Sequence, residues 1–194
     1  MTIDWNHPER GSGLRRVVDE LIGPGATRAE IVLVLAVGLV GGVSMILYQY
    51  VMGLGWSLLQ TAIATFMAFD IPAGVVANST STAKRWYHRE GYGAAKHFGF
   101  VVAHVIYPLL VSVLFLPLDW LYLAIVFGLI AAAALIVIAT PLYLKRPVSL
   151  TLLCVALLVS IYIITPVPGL EWLPPFLFLK LVVAHIVREE PYRA

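Results

Sequence analysis

The chain has 194 residues, 60% of them hydrophobic and only 12% charged, with a mean hydropathy of +0.90, against roughly 45–50% apolar and 25% charged in soluble domains. That balance excludes a soluble globular domain and a disordered chain. The single Cys154 excludes a disulfide scaffold, and a formal net charge of +2 is too small for a nucleic-acid partner.

Residues 1–28 form an N-terminal segment ahead of the first long apolar run. Within it, 12–22 predicts a short helix that ends at Gly23-Pro24-Gly25. Leu14, Val17, Val18, Leu21 and Ile22 recur at helical spacing, and Arg15, Arg16, Asp19 and Glu20 fill the other face with i,i+4 pairs. This reads as an interfacial amphipathic helix lying on the inner leaflet, with a partner-docking or frayed helix as the alternative. The polar start and the lack of a small-residue cleavage site speak against a secretory signal peptide.

Residues 29–187 carry six apolar stretches, at about 29–51, 57–78, 97–116, 118–142, 148–164 and 172–187. Each is close to the about 20 residues that cross a hydrocarbon core of about 30 Å. Connections as short as 52–56, the turn at Pro117 and 143–147 make sequential helices antiparallel neighbours. The runs lack the apolar–polar alternation of a membrane strand. The expected fold is therefore all-α: a polytopic membrane protein built as a six-helix up-and-down transmembrane bundle, with a tail at 188–194. The sixth stretch is short, with Pro174 and Pro175 in its first turn and Lys180 inside. Five spans plus a re-entrant hairpin is the alternative, but proline suits a helix start because the amide it lacks has no partner there.

Orientation follows from the cations. Arg10, Arg15, Arg16, Arg28, Lys84, Arg85, Arg89, Lys96, Lys145, Arg146, Arg188 and Arg193 fall on one side, and the opposite connections hold only Asp119 and Glu171. By the positive-inside rule the chain is a multi-pass cell-membrane protein with both termini cytoplasmic. Trp56, Trp120, Trp172, Tyr48 and Tyr50 mark the outer boundary as an aromatic belt. Membrane lipids are the expected partners. In the first span Gly38 and Gly42, with Gly41 beside them, permit close helix packing and offer a face for a homo-oligomer.

An ionisable side chain in the bilayer costs about 2.5–3.5 kcal/mol or more, so each must be paired, hydrated or functional. Asp70, His104, Lys180 and His185 lie within spans, and Asn78 and His97 at span ends. With a rise of about 1.5 Å per residue, Asp70 and His104 sit at the same depth, roughly 4 Å from their span midpoints toward the cytoplasm. A direct Asp70–His104 hydrogen bond is open, and Lys180 is the natural countercharge for Asp70. Asp70, Gly74 and Asn78 share one helix face, as do His97 and His104. Pro72 interrupts the second span just past the acid. The 79–96 connection concentrates bases, histidines and aromatics. It reads either as a mouth over a cytoplasm-facing cavity or as a basic loop snorkelling into headgroups.

Three functions stay open. The first is an enzyme acting on a lipid or lipid-linked substrate, with Asp70, His104 and Lys180 catalytic and Asn78, Lys84, Arg85, His88 and Arg89 binding substrate. A divalent metal such as zinc or iron is the candidate cofactor, held by Asp70, His97, His104 and His185. No HxxxH or HExxH spacing occurs, and His97 and His104 are about 10 Å apart along a helix, too far to share one ion. The second is a small solute or proton-coupled transporter or substrate-binding subunit. The third is a structural or assembly subunit with a buried Asp70–Lys180 pair.

Overall fold

The computed structural model describes residues 2–193, and the side chains of Leu14 and Arg193 lie outside the described part. In chain order the helices are α1 (Leu14–Leu21), α2 (Arg28–Met52), α3 (Leu58–Ser79), α4 (Ser81–Tyr87), α5 (Ala94–Ala103), α6 (Ile106–Leu114), α7 (Trp120–Ala139), α8 (Leu142–Tyr162) and α9 (Leu173–Phe178). α9 runs directly into a π-helical segment, Leu179–His185. Thr2–Ile3 pairs antiparallel with Tyr192–Arg193, which brings both ends of the chain to one end of the bundle.

The architecture is an all-α polytopic bundle. Among the described residues five units are long and apolar enough to cross a membrane: α2, α3, α5 with α6, α7 and α8. α2 turns Val32, Leu33, Leu39, Val40, Val43 and Leu47 outward. Such a surface suits hydrocarbon, which has no water to exclude. The sixth span expected from hydropathy is corrected. Its helical part is six α-helical and seven π-helical residues, about 20 Å at helical rise, short of about 30 Å. The connection before it makes up the rest by sinking into the bundle, where Ile164, Val167 and Leu170 join the main core.

Local chemistry sets the helix starts. Reciprocal capping boxes of Thr27 with Glu30 and Ser57 with Gln60 satisfy the first amides of α2 and α3. The α2–α3 hairpin closes tightly because Gly41 has no side chain: a Cβ there would lie 2.0 Å from the Ala68 carbonyl oxygen. Gly38 faces the Phe69 ring and Gly42 faces Thr65 and Phe69. The glycine face that the sequence offers to a second copy is thus covered by α3 of the same chain.

The third span is not one continuous helix. Pro108 lacks the amide that the His104 carbonyl would accept at i+4, and the chain tightens: His104 N donates to Val101 O, Val105 N to Val102 O and Tyr107 N to His104 O. α5 therefore ends at Ala103, and α6 restarts at Ile106.

Val18 and Ile22 turn toward a small cluster with Val34, Ala73 and Ala77, while Val17 and Leu21 stay exposed. The apolar face expected for 12–22 is thus split between bundle and surroundings. Leu14, also assigned to that face, has its side chain outside the described residues. Asp19 is buried and accepts from Gly11 N at 2.7 Å.

Candidate functional site

The 79–96 connection is not an open mouth. It folds into α4, whose Thr82, Ala83, Lys84, Arg85 and Trp86 are buried. Glu30 of the α2 capping box anchors it by accepting from Thr82 N at 3.2 Å and Thr82 Oγ1 at 2.9 Å. Lys84 reaches across to the end of the π segment and donates to Ala184 O at 2.6 Å and Val187 O at 2.7 Å. These are carbonyls that a helix end leaves without amide partners, and a cation there also meets the negative end of the helix dipole. Burial pushes the Lys84 ammonium down to about 8, against the pull of Glu189. Arg85 donates to Thr82 Oγ1 at 3.0 Å, and Arg89 lies 3.6 Å over the Trp86 ring and donates to the Trp86 carbonyl. Lys84, Arg85 and Arg89, expected to bind substrate, are each turned back onto the chain's own acceptors or rings.

Beneath α4 lies a histidine cluster. His185 Nδ1 donates to Asn78 Oδ1 at 3.4 Å, which leaves His185 Nε2 to accept from His97 Nδ1 at 3.2 Å. His88 Nε2 donates to the His185 carbonyl at 3.1 Å, and its ring lies 4.7 Å from that of His97. Burial pushes His88 down to about 3, helped by His97 and Lys84. Burial likewise pushes the Tyr87 hydroxyl up to about 12, and that hydroxyl donates to Glu20 O at 3.1 Å, tying α1 to α4.

A second cluster lies deeper. Asp70 Oδ2 accepts from Lys180 Nζ at 2.6 Å and from the Tyr107 hydroxyl at 2.5 Å. The Lys180 stem crosses Gly74, where a Cβ would fall 2.2 Å from Lys180 Cε. The direct His104–Asp70 bond that the sequence leaves open is not what His104 makes: its Nδ1 donates at 2.7 Å to Phe100 O, the acceptor orphaned by the Pro108 break, and its ring stacks on Tyr107. In the neutral ring the Nε2 lone pair stays free.

Phe100 joins the clusters, with its ring centroid 3.9 Å from that of His185 and 4.4 Å from that of His104. The π segment is what turns Lys180 and His185 to the same side. Residues five apart sit about 140° apart on an α-helix, but the i→i+5 ladder nearly aligns them. Asp70, Gly74 and Asn78 all face that segment.

The expected metal set does not assemble. Asp70 and His104 belong to the deep cluster, and His97 and His185 to the upper one. Among the described residues no three of His, Cys, Asp and Glu converge on a common point. Tyr107 and Phe100 were not among the residues expected from the sequence. Tyr107 was within reach, since it stands three residues after His104 and shares its face. Pro108 was the signal for the break.

Fold and clusters define a class: an integral membrane protein with a polar centre inside its helical bundle. No protein-family model, curated protein or solved structure matches the chain.

Proposed function

We propose that this protein is a membrane-embedded enzyme acting on a lipid or lipid-linked substrate, in which Asp70, Tyr107, His104 and Lys180 form the catalytic centre. One observation carries the reading: a histidine ring whose Nδ1 is fixed on a backbone carbonyl, leaving the Nε2 lone pair free, stacks on a phenol that shares one carboxylate oxygen with an ammonium. His104 Nε2 accepts a proton from a substrate hydroxyl or a water. Lys180, with donors beyond the one given to Asp70, opposes the negative charge that develops, and Asp70 orients both Lys180 and Tyr107. Access from the hydrocarbon is supported by exposure: Asp70 keeps 27% of its side chain accessible against 6% for Lys180, and Phe66 and Ile106 nearby are exposed. The cation distribution supports a cell-membrane setting with the α4 end and both termini in the cytoplasm.

The test is protein in nanodiscs made from a total membrane lipid extract, with lipid composition followed by mass spectrometry. The wild type depletes a lipid species, and His104→Gln slows this at least about 100-fold with unchanged thermal stability. A wild type that converts no lipid, or a His104→Gln variant as active as wild type, overturns the proposal. A second reading, a purely structural ion pair, is favoured by the fit of the Lys180 stem over Gly74. In that case Asp70→Asn destabilises, adding Lys180→Met restores stability, and no lipid is converted.

A further inference from the structure

A cavity of about 470 Å³ lies on the other side of α3, between α2 from Gly41 to Tyr48, α3 at Ala68 and Pro72, and the chain entering α9 at Glu171 and Trp172. Neither Asp70, His104 nor Lys180 lines it, so its chemistry is independent of the catalytic reading. Its volume falls in the range of small-molecule sites, about 300–1,000 Å³. Ser44, Tyr48 and Phe176 are exposed, so it opens on the flank of the bundle.

The cavity is graded along its length. At the deep end Pro72 has no amide to offer the Ala68 carbonyl, which would otherwise be a polar intruder. Gly41 closes on that oxygen instead, its backbone so near that a Cβ would lie 2.0 Å away, and supplies a Cα–H contact. Met45 continues the apolar wall. From Gly41 to Tyr48 this wall is about 10 Å long by helical rise. Toward the 163–172 connection the cavity is lined by Tyr48 and by Glu171, whose carboxylate accepts from Gly169 N at 2.8 Å through one oxygen. The connections at this end, residues 53–57, 115–119 and 163–172, contain neither Lys nor Arg. The charge of Glu171 therefore has no cation of these connections to oppose it, and the cavity combines an apolar trough with one anionic rim.

We propose that the cavity binds one long-chain membrane amphiphile carrying an ammonium group, with its hydrocarbon along Gly41, Met45 and Ala68 and its ammonium at Glu171. A trough of this kind holds a chain by apolar contact, and the carboxylate selects the charge of the headgroup.

The test uses delipidated full-length protein in a maltoside micelle, titrated with hexadecylamine, hexadecanol or hexadecanoic acid and read by native mass spectrometry. Hexadecylamine saturates at one per chain and binds at least ten times more tightly than hexadecanol, with hexadecanoic acid weakest. Glu171→Gln, which keeps an oxygen for Gly169 N, brings amine and alcohol to within twofold while alcohol binding stays as in wild type. Ser44→Phe, at an exposed position on the cavity rim, weakens both at least tenfold. Non-saturable amine uptake, an amine preference that survives Glu171→Gln, hexadecanoic acid binding as well as the amine, or Ser44→Phe binding as wild type each overturns the proposal.

Discussion

Gly74→Ala puts one methyl group where the Lys180 stem runs: 2.2 Å from Cε, 2.8 Å from Cδ and 2.7 Å from the ammonium nitrogen. Lys180 cannot keep its 2.6 Å bond to Asp70 with that methyl in place. Overpacking alone costs about 1–3 kcal/mol. Displacing the ammonium also strands a carboxylate inside the membrane, worth about 2.5–3.5 kcal/mol at the bilayer centre. The lost hydrogen bond adds little, since such bonds between membrane helices average about 0.6 kcal/mol. Partial exposure of Asp70 lets some of its charge be relieved, so the expected loss is about 3 kcal/mol. In a Lys180→Ala background the stem is gone, and Gly74→Ala then costs nothing or slightly stabilises the helix. The double-mutant cycle thus carries a coupling of about 3 kcal/mol. Reversible unfolding of the four proteins in mixed micelles measures it. A Gly74→Ala protein within about 0.5 kcal/mol of wild type, or costs that simply add, refutes the packing argument.

Three further outcomes are expected at the α4 end and the α5–α6 break. His88 is held at about 3 in the fold by burial, whereas the unfolded chain takes up this proton near 6.5. Below about pH 6.5 the unfolded state binds more protons, so stability falls as pH drops toward 3, by at most about 2 kcal/mol at pH 5. His88→Asn flattens that slope in unfolding midpoints measured from pH 7 to pH 5. Lys84→Met removes the donors to Ala184 O and Val187 O; a loss of about 1–3 kcal/mol and faster amide exchange across 184–188 are expected. Pro108→Ala restores an amide for the His104 carbonyl, lets His104 N return to Phe100 O, and so releases the His104 ring. Nitrogen NMR of selectively labelled histidine should show an Nδ1–H tautomer at His104 in the wild type and loss of that preference in the variant.

Composition and apolar run length carried the fold class because both are sums over many residues, and no local detail reverses them. The Asp70–Lys180 pair was legible for a related reason: a bilayer offers few partners, so the only acid and the only lysine deep within the expected spans nearly had to meet. What the sequence did not show shares a cause. Lys84, Arg85 and Arg89 look like a binding patch because cations in a loop are normally solvated, and only the packing of α4 under Glu30 turns Lys84 and Arg85 inward. The sixth segment reads as a full span by hydropathy, yet its length depends on how far Ile164, Val167 and Leu170 sink into the core. The π-helical register of 179–185 leaves no mark in hydrophobic periodicity that a short apolar run can display.

The backbone irregularities of the bundle coincide with its polar side chains, and the bilayer explains why. Pro72 follows Asp70 by two residues, Pro108 follows His104 by four, and the π segment contains both Lys180 and His185. Hydrocarbon cannot satisfy a carbonyl released by a proline or a widened helical turn, so each irregularity must face protein. At Ala68 the compensating group is the Gly41 backbone, at Phe100 it is the His104 ring, and at Ala184 and Val187 it is the Lys84 ammonium. The requirement that removes irregular backbone from the lipid surface thereby brings α3, α5–α6 and the π segment together around their ionisable groups. A regular α-helix at 179–185 would swing His185 about 140° away from Lys180, and one helix face would no longer serve Asp70 and Asn78 together. Deleting one residue between Lys180 and His185 leaves them four apart, about 40° on a regular α-helix, so that variant is expected to take an α register and keep both contacts to α3. Inserting one residue there leaves them six apart and about 120° from alignment, and is expected to break one of the two contacts. Loss of either His185–Asn78 or Lys180–Asp70 in the insertion variant, with the other retained, is the structural outcome to look for; retention of both there would mean that side-chain reach, and not helical register, joins the clusters.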